Sequence, residues 1–248
     1  MMAACAAQTQ MPHADIAVVQ AHYRNMPVAL KVSCYYGDLY DENEKWLLSP
    51  YPFAETSHLV DLHGAPIHPQ GERGIIPAGT HFVIESVEFP TVTVMAGRML
   101  TTPRFNPWVY LQAALDDHVP GSERSVYILL LSMDIKTEAE ADAALDKILG
   151  RPKDVQSWLA SRTEPVQVAI KHKSAVPNMS WDEMVAALGE PPHLFAETTS
   201  AGRAVVAWYP TRELWLYDKV VKQIQAARAI SAPAPTKPAD ANAPAPKK

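Results

Sequence analysis

Two segments of the chain carry complete helix punctuation, and the second leads straight into a series of strand-like runs. Thr137-Glu138-Ala139-Glu140 and Ser180-Trp181-Asp182-Glu183 are both capping boxes. In each, the hydroxyl accepts the third backbone N–H and the glutamate reaches back to the cap. After the first box, Ala141, Ala144, Leu145, Ile148 and Leu149 recur at helical spacing, and Gly150-Arg151-Pro152 is expected to end that helix. A short helix over 154–160 should follow, burying Val155, Trp158 and Leu159. Met179 and Met184 flank the second box as a hydrophobic staple, and Leu188-Gly189-Glu190-Pro191 closes its helix. Each cap contributes about 1 kcal/mol, so both helices are well specified. The shared Ser/Thr-x-x-Glu and Leu-Gly-x-Pro text leaves two readings open, a duplicated unit or generic helix punctuation.

Strands are expected at 194–198, 203–209 and 214–217, with Asp218-Lys219 turning the chain into the apolar run at 220–224. Alternation puts Trp215 and Tyr217 on one face and Leu214 and Leu216 on the other. Either the aromatic side chains, with Trp208, fill the helix–sheet core, or they mark a partner site.

The first half reads as short strands and loops: 28–36, 46–48, 82–89, 91–95, 109–111 and 125–131, with turn residues between them. A small barrel or sandwich is the expected architecture. Trp46, Tyr51, Phe53, Phe105 and Trp108 are candidates for a groove, against the alternative that they pack the core and loops. His58, His63, His68 and His81, with Asp61 among them, have no recognised ligand spacing and read as exposed loop histidines. Ile76-Pro77-Ala78-Gly79-Thr80 before an alternating strand resembles the turn of bacterial SH3-like barrels, which bind peptides or wall fragments through aromatic loop residues.

The text from 176 to 225 resembles the SmpA/OmlA family, the BamE-like group whose fold is shared by β-lactamase-inhibitor-like domains. The residues carrying the resemblance are Met179, Trp181-Asp182-Glu183-Met184-Val185, Leu188-Gly189-Glu190-Pro191, Trp208-Tyr209 and Val220-Val221. The family has Gly before the Met and Gly in the last turn; Asn178 and Asp218-Lys219 stand there here. The resemblance implies a periplasmic, lipid-anchored, non-catalytic domain that binds other proteins through its sheet. No family binding residue is carried over.

Met2-Ala3-Ala4-Cys5-Ala6 resembles a lipobox, with Cys5 as the lipidated residue, although only four residues precede it and a signal peptide needs a longer apolar core. Cys34, in an apolar run, reads as a small buried hydrophobe, with a 5–34 disulfide as the alternative. Of the eighteen residues 231–248, eleven are Ala or Pro, so this tail is expected to be disordered or an extended spacer. The net charge of −5 argues against a general nucleic-acid binder, which needs a basic face. There is no Gly-x-Ser-x-Gly, phosphate loop, His-Glu-x-x-His or dinucleotide fingerprint. Asp116-Asp117-His118 reads as a solvated loop.

Together these features predict an α+β chain. Residues 1–22 form an anchor and tether, 23–131 a β-rich domain, 132–230 a helix-plus-antiparallel-sheet domain and 231–248 a tail. The expected function is a non-catalytic envelope lipoprotein, on the periplasmic face of the outer membrane, that binds or assembles proteins. Its candidate partner-binding residues are Trp208, Trp215, Tyr217, Trp46 and Trp108, and no cofactor, metal or nucleic acid is expected. The alternatives are a soluble, cytoplasmic subunit of a larger assembly with Cys5 incidental, and a hydrolase with an unrecognised site.

Overall fold

A computed structural model describes residues 9–40, 42–56, 59–60, 65–98, 103–114, 119–120, 126–200 and 202–229. Cys5, the tail, His58, His63, Asp61, Asp116, Asp117 and His118 lie outside the described residues. The chain is α+β, with one eight-stranded and one four-stranded sheet.

The first half begins with α1 (His13–Tyr23), β1 (Met26–Leu30), β2 (Cys34–Leu39) and β3 (Glu42–Ser49). A two-stranded hairpin of β4 (Leu59–Val60) and β5 (Pro66–Ile67) leads to β6 (Glu72–Ile76) and β7 (His81–Glu88). Then come α2 (Val92–Gly97), β8 (Trp108–Ala113), β9 (Val126–Leu130), α3 (Glu138–Asp146) and β10 (Leu149–Gly150). The large sheet runs β10-β1-β7-β8-β9-β3-β2-β6, and only β3 and β9 are parallel. Its end strands, β10 and β6, are not paired with each other, so one continuous mixed sheet stands where a small barrel or sandwich was expected.

Alternation builds a core on each side of this sheet. Trp46 and Leu48 of β3 and Tyr127 and Leu129 of β9 meet Ile16 and Val19 of α1 and Ala141 and Leu145 of α3. Leu47 and Ile128 point the other way, among Leu39, Phe53 and Trp108. Each Val, Leu, Ile or Phe among them contributes roughly 1.5–3 kcal/mol by burial.

Four local expectations are corrected. Residues 13–23, read as tether, form α1, because Ile16 and Val19 are one turn apart and both find the sheet core. Residues 92–97 are helix and not strand: Thr91 accepts the Val94 N–H at 3.4 Å as an N-cap, and among the described residues no neighbouring strand pairs with this segment. Residues 138–150, expected in the second half, pack in the first core. Leu149-Gly150 does not end the helix but pairs with β1, Leu30 opposite Leu149 and Ala29 opposite Gly150. A Cβ on Gly150 would come within 2.9 Å of Val155.

The second half contains α4 (Pro152–Ala160), α5 (Glu164–Lys171) and α6 (Trp181–Leu188). The meander β11 (His193–Thr199), β12 (Gly202–Tyr209), β13 (Arg212–Tyr217) and β14 (Val220–Ala226) follows. Both capping boxes form as read. Gly189 closes α6 at φ 87°, so the two Leu-Gly-x-Pro segments play different parts, one a helix end and the other a strand. Val166, Ala169 and Ile170 of α5 and Met184, Ala187 and Leu188 of α6 pack on Ala207, Tyr209, Leu214, Leu216 and Val221. The helices thus cover one face of the four-stranded sheet.

Asn178, Asp218 and Lys219 all adopt left-handed backbone, φ 72°, 49° and 62°. Asn and Asp tolerate this region best after glycine, and Lys does not. Lys219→Gly is therefore expected to stabilise the fold by about 0.5 kcal/mol, the relief of strain exceeding the added freedom of the unfolded chain. A urea midpoint unchanged or lowered would contradict this.

The halves join through Ser33. Its N–H donates to Ala186 O at 2.9 Å. Its hydroxyl donates to Ile170 O at 2.6 Å and accepts the Ala78 N–H at 2.8 Å.

Candidate functional site

Residues directly opposite in antiparallel pairing share a face. Trp208 stands opposite His193 and Glu213, while Val206 stands opposite Phe195 and Trp215. These side chains, with Glu197 and Tyr217, form the face turned away from the helices; none belongs to the cluster between helices and sheet. Leu214 and Leu216 fill that cluster instead. Of the two expected placements for the aromatic residues, the structure has the outer one, with Trp208, Trp215 and Tyr217 half-buried side by side.

A single cation organises this face. Arg228, just past β14, folds back over it. Its Nε and Nη2 donate to the Glu213 carboxylate at 2.6 and 3.0 Å, and its Nη1 donates to Glu197 at 2.8 Å. Its backbone N–H also donates to Glu213 at 2.8 Å, and its carbonyl accepts the Trp208 indole N–H at 3.1 Å. The guanidinium carbon lies 5.7 Å from the ring centres of both Phe195 and Trp215, within reach of cation–π attraction. Glu213 is 0% exposed, and its hydrogen bonds from Arg228 hold its pKa down to about 2 against the opposing effect of desolvation. Hydrogen bonds to Glu213 and then Glu197 push Arg228 above its already high value. Beneath this clamp the Trp215 Nε1 is buried without a hydrogen-bond partner. Such a group costs about 1–3 kcal/mol, which the packing around it offsets.

The edge of the same sheet is also open. Among the described residues β11 pairs only with β12, and Leu194, Ala196 and Thr198 are exposed along it.

Trp46 and Trp108 are not part of this face, nor of any groove. They are 1% and 3% exposed, in the two cores of the large sheet. Both sides of that sheet are covered, so alternation buries these two indoles whichever side they face. Trp46 packs edge-on to Tyr36 and under Arg73, while Trp108 lies under Arg98, 4.1 Å from its ring, and donates to Pro103 O at 3.1 Å. Phe53 is buried as well; Tyr51 and Phe105 are half-buried. His68 Nδ1 and Thr56 O are 2.5 Å apart, and His81 meets Gln156 at 2.7 Å, so each ring is held by a hydrogen bond. Cys34 is buried and free, its thiol pushed up to about 12 by burial.

Sequence reasoning missed two cations. For Arg228 the signal available was Glu213, an acid that alternation places beside Trp215 and that therefore needed a partner. Lys173 gave no signal at all. It is buried where the halves meet, at φ 49°, and donates to the carbonyls of Ser33, Pro50 and Ala187 at 2.5, 3.0 and 3.2 Å. Its ammonium also faces the Tyr35 ring at 4.9 Å. Burial lowers its pKa to about 8.

Comparison with known proteins finds no matching family model, no similar curated protein and no similar solved structure.

Proposed function

We propose that this chain is a non-catalytic, lipid-anchored binding module of the cell envelope that holds other proteins against the outer face of its four-stranded sheet. The observation that carries this reading is the grouping of Phe195, Trp208, Trp215 and Tyr217 on the face that the helices leave uncovered, under the charged strap of Arg228. Aromatic and arginine side chains are the groups that contribute most at protein interfaces, since they bury large area with little loss of side-chain freedom. The resemblance of 176–225 to the SmpA/OmlA family supports the same reading, and the lipobox-like text at Cys5 supports the anchor. An acyl chain on Cys5 would add about 0.8 kcal/mol of membrane affinity per buried CH₂.

Two measurements on the protein from its native host test the two parts. Mass spectrometry is expected to find Cys5 as the acylated first residue of the mature chain; Met1 intact with an unmodified Cys5 rejects the anchor. A photoreactive phenylalanine derivative at Tyr217 is expected to cross-link a second protein in intact cells. The same group at Asp182, exposed on the opposite side, should not. Equal labelling from both positions, or none from Tyr217, rejects the outer face as the binding surface.

A further inference from the structure

We infer that β11 is a dimerisation edge, pairing antiparallel with β11 of a second copy of this chain across a two-fold axis at Ala196. The pairing uses the rim of the sheet and not its outer face, so it stands apart from the reading above.

Backbone geometry sets the direction. Thr199 stands opposite Gly202 across the two-residue loop of the β11–β12 hairpin. Such a loop closes on a hydrogen-bonded pair, and these alternate along an antiparallel ladder. The backbone groups of His193, Phe195, Glu197 and Thr199 therefore point toward β12. Those of Leu194, Ala196 and Thr198 point outward, away from the sheet. The opposite rim of the same sheet is already occupied: Val221 N–H donates to Met179 O at 2.8 Å, and Asn178 N–H to Val221 O at 2.7 Å. β11 has seven residues, no bulge, and none of the Lys or Pro that proteins use to block an edge.

The sequence of the edge selects a copy of itself. With the axis at Ala196, Leu194 faces Thr198, Phe195 faces Glu197 and His193 faces Thr199, so no like charges meet and all seven residues pair. Moving the axis to Glu197 sets two carboxylates opposite each other, which is destabilising. Moving it to Phe195 brings Pro192, which has no N–H, into the ladder. In the Ala196 register each Phe195, already 5.7 Å from its own Arg228, gains the partner's Glu197 beside it. Leu194, 53% exposed, gains the partner's Thr198 opposite and its Ala196 on the diagonal. The contact is isologous and closes on itself, so it yields a dimer and not a fibre.

Sedimentation velocity over a dilution series of the intact chain tests this directly. The apparent mass is expected to double from micromolar to several hundred micromolar protein. Ala196→Pro removes an outward N–H, leaves the β12 ladder intact, and is expected to hold the protein at monomer mass throughout. Cysteine substitution tests the register, including the case in which the proline variant does not fold. In a Cys5→Ser background, Ala196→Cys should oxidise to a disulfide-linked dimer, because an antiparallel hydrogen-bonded pair has Cα atoms about 5.5 Å apart. Leu194→Cys, facing Thr198 of the other copy, should not. A monomer at every concentration, a dimer that survives Ala196→Pro, or equal cross-linking at both positions overturns the inference.

Discussion

Raising the pH from 8 to 10.5 should stabilise the protein relative to its Lys173→Met variant by roughly 3 kcal/mol, read as the change in the difference between their urea unfolding free energies. Lys173 titrates near 8 when folded, against a normal value of 10.5. Between those limits the unfolded chain holds the proton and the folded chain does not, so folding is favoured as pH rises through the window. Below 8 the ammonium is charged in both states, and three carbonyls satisfy it without a carboxylate in contact. Cys34 acts in the opposite sense, because its thiol is pushed up to about 12 and the unfolded chain ionises first above about 9. That contribution is present in both proteins and largely cancels in the difference. Parallel pH curves for the two proteins would show that Lys173 is not desolvated at the junction.

The second large effect is at Arg228. Arg228→Ala leaves the Glu213 carboxylate shielded from water with no cation, and should destabilise the fold by about 2 kcal/mol. That is less than the 3–5 kcal/mol of a fully buried broken pair, because Arg228 is itself partly exposed. Glu213→Gln, which keeps the shape and leaves Arg228 free to turn to water, should cost clearly less. The pH dependence has a definite sign. Glu213 is held down to about 2, so its contribution is complete above its ordinary value of 4.5 and is lost as pH falls from there toward 2. Arg228→Ala removes that contribution and should move acid unfolding to higher pH, with Trp215 fluorescence reporting it. Equal losses for the two variants, or an unmoved acid transition, would mean that the clamp contributes no stability.

The parts of the fold written in local chemistry were legible. Both capping boxes, the end of α6 at Leu188, the three strand-to-strand boundaries after it and the split of Leu214 and Leu216 from Trp215 and Tyr217 depend on residues a few positions apart. What failed depends on distant partners. Leu149-Gly150 and Leu188-Gly189 have the same text, yet β1 pairs with the first, while the second ends α6 with its Gly189 carbonyl accepting the Tyr209 hydroxyl. Thr91-Val92-Thr93-Val94 has strand composition but finds no neighbour, so its cap decides. For Trp46 and Trp108 the sequence left a groove and core packing both open, and the core reading holds, because a second covered face cannot be read from one strand. Lys173 is placed by carbonyls at Ser33, Pro50 and Ala187, far apart in the chain.

The seat of β1, between β7 and β10, sets an order of events. A chain made or exported amino end first can pair its opening strand with β7 early, but the second neighbour of that strand arrives only with residue 149. Until then one rim of the large sheet lacks its border and α3 is not yet in place over the core. Maturation of the first half is thus completed only when α3 and β10 have been made, well past its midpoint in translation.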